Sequence, residues 1–167
     1  MTQTVLDLIE AQPNDGVAIA MPPSEAGGRP AMSFGRLKKL IRDVQKDLNA
    51  LGIGRNDRVA IVLPNGPEMA ASFIAIACTA TTAPLNPSYG QDEFEFYLKD
   101  LRAKAVALAE DEAGAAAEAA KALGIPIVRV ATDPAEAVGV FKLLAEAARA
   151  GERAATTGFA APADTAL

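Results

Sequence analysis

A chain of 167 residues, half of them hydrophobic and 22% charged, has the length of one domain and enough apolar material to bury a core. Sixteen basic against twenty-one acidic side chains give a net charge of −5 with no basic run, which argues against an electrostatic nucleic-acid binder. The absence of histidine removes the commonest general base, and the single cysteine, Cys78, excludes an internal disulfide and ordinary zinc sites.

Residues 1–10 lack a positive n-region and carry acids among their apolar side chains, unlike a signal peptide. Thr4 to Glu10 suits a short amphipathic helix with Val5, Leu8 and Ile9 on one side. Val17 to Met21 is expected as a short strand ended by Pro22-Pro23, and the turn cluster from Ser24 to Pro30 leads to a second at Ala31-Met32, closing a hairpin. Ser33 then reads as an N-cap. Leu37, Leu40, Ile41, Val44, Leu48 and Leu51 recur at three- and four-residue spacing, which predicts a long amphipathic helix stopped at Gly52.

Arg58 to Leu63 is a short continuous apolar run, suited to a strand buried on both faces. Pro64-Asn65-Gly66-Pro67 breaks it, a helix is expected from Glu68 to Thr79, and Ala80 to Leu85 returns as a strand. That succession is a parallel βαβ unit, expected to be right-handed. Met69 to Gln91 carries no charge, but its three threonines, Asn86, Pro84 and Pro87 argue against a membrane span and for a buried element. Glu93 to Leu101 is the next helix, Ala105 to Ala109 a strand, Glu112 to Leu123 an alanine-rich helix stopped by Gly124, and Pro126 to Ala131 a further strand. The alternation predicts an α/β fold with a mostly parallel sheet flanked by helices. Val138 to Leu144 fits either a strand or the start of a helix running to Ala150. Gly151 to Asp164 reads as an exposed loop, and Thr165-Ala166-Leu167 as the first residues of another strand.

No glycine pattern here cradles a phosphate: Gly-x-Gly-x-x-Gly after a strand and the Gly-x-x-x-x-Gly-Lys loop are both absent. Asn65-Gly66-Pro67-Glu68 joins a strand end to a helix start, where open α/β sheets bind ligands. A turn followed by a dipole-complementing Glu68 accounts for it more simply. The acidic groups Asp92/Glu93/Glu95 and Glu110/Asp111/Glu112 read as solvated helix starts rather than metal ligands, and Tyr89 and Tyr97 as core or boundary packing. Cys78, in its apolar run, reads as a small buried hydrophobe. On chemistry alone there is no visible catalytic constellation.

The stretch from Ala77 to Leu98, with its rigid Ala83-Pro84-Leu85-Asn86-Pro87 corner, resembles the N-terminal part of acyl-CoA synthetases and other adenylate-forming ligases. The continuation Asp92 to Leu101 is most similar to the oxalate–CoA ligase branch, and the Met32-Ser33-Phe34-Gly35-Arg36-Leu37 opening resembles an early family segment with a structural role. The resemblance extends from about Thr4 to Leu167. One departure is Thr79, where many relatives have glycine.

What the resemblance implies is a parent enzyme that uses ATP and Mg²⁺ to activate a small carboxylate, oxalate or another, as an acyl-adenylate, then passes the acyl group to CoA. In that family the phosphate loop, adenine site, Mg²⁺-associated acid and catalytic lysine come later in the chain, so no catalytic, cofactor-binding or metal residue carries over to this sequence. The chain is therefore expected to be an inactive fragment: a lead-in over 1–54, a βαβ sheet core over 57–131 and a truncated segment over 132–167. The lead-in would pack with elements from the remainder of the ligase chain, and the face left bare would form a homodimer. A cytoplasmic location is expected. A stand-alone α/β interaction or small-ligand-binding domain is the alternative.

Overall fold

A computed structural model describes residues 3–25, 27–145, 154 and 156–167. Helix α1 (Val5–Glu10) is closed by a capping box, with Asp7 N–H donating to Thr4 Oγ1 at 3.1 Å and Thr4 N–H to Asp7 Oδ2 at 2.9 Å. Strands β1 (Val17–Ile19) and β2 (Met32–Ser33) form the expected antiparallel ribbon, β1 shorter than expected and β2 shifted by one residue. Ser33 caps α2 (Phe34–Ala50), accepting from Arg36 N–H at 3.2 Å, and Gly52 ends the helix region in a left-handed conformation, φ +76°.

The rest of the chain alternates: β3 (Arg58–Val62), α3 (Pro67–Ala77), β4 (Thr81–Pro84), α4 (Gln91–Leu101), β5 (Ala105–Ala109), α5 (Ala115–Ala122), β6 (Ile127–Thr132) and β7 (Phe141–Ala145). Their sheet has the order β4-β3-β5-β6-β7, parallel except for β7, which runs antiparallel to β6. Successive residues of the central strands point to opposite faces. Val59, Ile61, Ala105, Ala107, Val128 and Val130 face α2 and α3, whereas Ala60, Val62, Val106, Leu108 and Ile127 face α4 and α5. Cover on both faces is why these strands read as unbroken apolar runs. Four buried alanines of α5 let that helix lie close against its face.

The structure decides one open alternative and departs from the sequence expectations in two further places. The stretch after Val138 is a strand: Gly139, at φ +77°, turns the chain, and β7 pairs back on β6. A Cβ at Gly139 would lie 2.9 Å from the Pro67 carbonyl oxygen, so glycine is required both by conformation and by space. The alternative helix to Ala150 falls on 146–150, outside the described residues. Second, α2 does not wait for later elements; its Leu37, Leu40, Ile41, Val44 and Leu48 share a core with α3, the sheet and Phe141 and Leu143 of β7. The amphipathic stripe finds an apolar sheet face within this same chain.

Third, the described part of the expected exposed loop is docked. Thr156 O accepts from Arg55 N–H at 3.0 Å, Gly158 N–H donates to Asn49 Oδ1 at 2.9 Å, Ala160 N–H donates to Cys78 O at 2.8 Å, and Phe159 packs on the core. Residues 151–153 and 155 of that loop lie outside the described residues. Thr165 to Leu167 form no strand, yet Thr82 N–H donates to Ala166 O at 2.9 Å, so they lie against the β4 edge. Among the described residues no helix is long and apolar enough to cross a membrane.

Candidate functional site

From β3 the chain crosses α3 to reach β4 on one side, then returns through α4 to place β5 on the other side of β3. The connections therefore diverge at the carboxyl ends of β3 and β5, the place where open α/β sheets leave a crevice. A cleft of about 660 Å³ lies there, lined among others by Arg29, Leu63, Asn65, Glu68, Glu110 and Asp111. A second hollow of about 290 Å³ on the α2 side shares Glu110 and Thr132 with it. A third, about 170 Å³ on the α5 side, shares Pro64, Ala109 and Asp111. The Glu110-Asp111 loop thus stands between three depressions.

The charged groups at the centre of this cleft are committed to each other. Arg29 donates through Nη1 to Glu68 Oε1 at 3.0 Å, through Nε to Glu136 O at 3.2 Å and through Nη2 to Ala137 O at 3.0 Å. Glu68 Oε1 also accepts from Gly139 N–H at 3.1 Å. One arginine therefore ties the turn after β1 to the start of α3 and to the turn that introduces β7. In the sequence Arg29 sits in a turn cluster, and a cation inside a Gly-Gly-Arg-Pro turn is the sole signal of its role.

The residues singled out in the motifs take structural places in the geometry. Gly66 is the N-cap of α3, Pro67 occupies the first helical position, and Glu68 lies in the first turn. Glu93 accepts from Gly90 N–H at 2.8 Å at the start of α4, and Glu95 pairs with Lys99 at 3.2 Å. Glu112 accepts from Gly114 N–H at 2.6 Å. Tyr89 and Tyr97 stack on each other, centroids 5.1 Å apart, at a half-buried boundary away from the cleft. Cys78 is 1% exposed, and burial, reinforced by the Glu10 charge, pushes its thiol pKa up to about 12.

A nucleoside triphosphate does not fit this donor set. The cleft's one arginine is already paired, Glu25, Glu110 and Asp111 would face the phosphates with like charge, and Pro67 contributes no N–H at the α3 start. Among the described residues no three His, Cys, Asp or Glu side chains gather as a metal centre would require.

Comparison with known proteins places this architecture. The chain is 36% identical over 116 residues to the oxalate–CoA ligase of Arabidopsis thaliana, a match covering 66% of this chain and 23% of that enzyme. It is 38% identical over 95 residues to the Humulus lupulus protein named "Probable CoA ligase CCL9", covering 56% and 18%. The chain thus spans about a fifth of the length of these curated relatives. The crystal structure of apo MatB from Rhodopseudomonas palustris superposes with a TM-score of 0.64 at 19% identity, over 88% of this chain and 30% of that one, a likeness of fold. The mostly parallel sheet flanked by helices matches the N-terminal subdomain of adenylate-forming ligases. The model of the AMP-binding enzyme family matches residues 7–166, and the chain belongs to that family.

Proposed function

We propose that this chain is the N-terminal part of an ATP-dependent acyl-CoA synthetase, in which ATP and Mg²⁺ convert a carboxylate into an acyl-adenylate and CoA then takes the acyl group. The observation that carries the reading is the family match over nearly the whole chain, supported by curated relatives that are CoA ligases. The acyl substrate is oxalate or another small acid, a reading supported by the Arabidopsis relative. Within the ligase, 1–54 serve as lead-in, 57–131 as sheet core and 132–167 as the passage toward the remainder. No residue of this stretch is assigned a catalytic, cofactor-binding or metal role. The isolated chain is inactive, works with the remainder of the ligase chain, self-associates as a homodimer through exposed apolar surface and acts in the cytoplasm.

The test is pyrophosphate release with ATP, CoA and a panel of small carboxylates including oxalate. We expect no turnover from the 167-residue chain and turnover from the uninterrupted reading frame that contains it. Turnover by the short chain alone overturns the assignment of chemistry to other residues. Absence of adenylation by the whole frame overturns the ligase reading.

The cleft of about 660 Å³ favours one second reading, a small-ligand-binding domain in its own right. Thermal-shift measurements with small carboxylates and CoA check it; the reading requires stabilisation that Asn65→Ala, which removes an amide donor from the cleft lining, weakens.

A further inference from the structure

Residues 164–166 are held by groups from two other parts of the chain. Asp164, with its side chain 7% exposed, accepts from Arg55 Nε at 2.5 Å and Nη2 at 3.1 Å, and from Asn56 Nδ2 at 2.9 Å. Asn56 Oδ1 accepts from Thr165 N–H at 3.1 Å. Thr81 Oγ1 donates to Thr165 O at 2.7 Å, and Thr82 donates both N–H at 2.9 Å and Oγ1 at 2.8 Å to Ala166 O. The loop that reads the carboxylate is shaped around the segment. Asn56 sits at φ +64°, and a Cβ at Gly54 would lie 2.1 Å from Thr156 O.

These contacts recognise a carboxylate, an amide N–H and two carbonyls, none of which depends on covalent continuity with the rest of the chain. Beyond them Pro84 offers no N–H to an incoming strand, so Thr82 supplies the edge donor. Leu167, 71% exposed, continues beside an apolar groove of about 470 Å³ lined by Leu85, Tyr97 and Leu101.

The geometry points to an exchangeable docking site: the Arg55-Asn56 loop and the β4 edge bind an extended Asp-Thr-Ala segment, and a second copy of this chain can supply it in place of the chain's own residues 164–166. Covalent linkage favours the chain's own segment at micromolar protein, because it raises the local concentration to about millimolar. Exchange appears when the internal contact is disabled, as in domain swapping. The inference stands on this geometry and is independent of the ligase reading.

Charge reversal tests it. Arg55→Glu and Asp164→Arg each set like charges against each other within one chain and within a homodimer. Mixed together, each variant supplies the charge that the other lacks. We expect each variant alone to have a rapidly exchanging Thr82 amide, and the equimolar mixture to form a mixed assembly in which that amide is protected. The double variant, Arg55→Glu with Asp164→Arg, should be protected on its own, which controls for folding. A mixture in which the Thr82 amide exchanges as fast as in the separate variants overturns the proposal.

Should the single variants fail to fold, the milder Asp164→Asn chain is titrated with a labelled peptide of residues 156–167. We expect the peptide to bind about tenfold more tightly than its asparagine counterpart. Equal binding, or none, overturns the proposal.

Discussion

Arg29 and Glu68, 39 positions apart in sequence, meet at 3.0 Å with their side chains 20% and 24% exposed. The pair joins the lead-in to the helix that opens the cleft, and Gly139 N–H completes it. Because Arg29 also supplies two backbone carbonyls with donors, Arg29→Ala removes three contacts at once and leaves Glu68 with one partner. We expect a loss of about 1–3 kcal/mol, read as a lower urea midpoint with an unchanged slope. Glu68→Gln keeps a carbonyl oxygen for one donor and should cost less.

Among the described residues two hydroxyls lie buried without a hydrogen-bond partner, Ser72 Oγ in α3 and Thr79 Oγ1 just past its end. Both residues are 0% exposed. A buried hydroxyl that bonds nothing costs about 1–3 kcal/mol in protein mutational data. Ser72→Ala and Thr79→Val, which keep most of the packing, are therefore expected to raise stability by up to about 1 kcal/mol each, measured by chemical denaturation. A loss in both would show that these hydroxyls are solvated or bonded in solution.

The Cys78 thiol, pushed up to about 12 and 1% exposed, is almost wholly protonated at neutral pH and sheltered from reagents. Alkylation by iodoacetamide at pH 8 should be slower by orders of magnitude in the folded chain than in urea. Rapid labelling of the native protein would contradict the burial.

What the sequence revealed was local. The stripe from Leu37 to Leu48, the Ser33 cap and the apolar runs of β3, β5 and β6 each carry their own period, and each became the expected element. What it hid was set by closure of the chain. The antiparallel return of β7 hangs on Gly139 meeting Glu68, 71 residues earlier, and a single short apolar run does not distinguish strand from helix. A cleft lies at Asn65 to Glu68, a strand end that the sequence explains more simply as a turn, and the cation within it, Arg29, arrives from a turn whose destination no periodicity encodes. The C-terminal stretch misled through composition. Its alanines and threonines read as an exposed loop; its described residues are indeed loop, but an arginine 109 positions away gives Asp164 a fixed seat.

That seat gives the fold a pH dependence whose sign follows from the charges. Hydrogen bonds from Arg55 foremost, then from Ala161 N–H and Asn56, hold the Asp164 carboxyl well below the usual carboxylate range. In the unfolded chain the same group titrates near its ordinary value of about 3.9. A folded-state value below the unfolded one contributes stability that is fully present above about pH 4–5 and is lost as pH falls from there toward the folded value. Urea midpoints measured from pH 6 to pH 2.5 should therefore decline on the acid side. Asp164→Asn should lower the midpoint at pH 6 and flatten that decline, so that the two curves converge toward pH 2.5. Parallel curves would show that the Arg55 contact does not favour the charged carboxylate in solution. The same measurement on Arg55→Ala separates the arginine from Asn56 and Ala161: its curve should lie between those of the wild type and Asp164→Asn, because two of the donors remain.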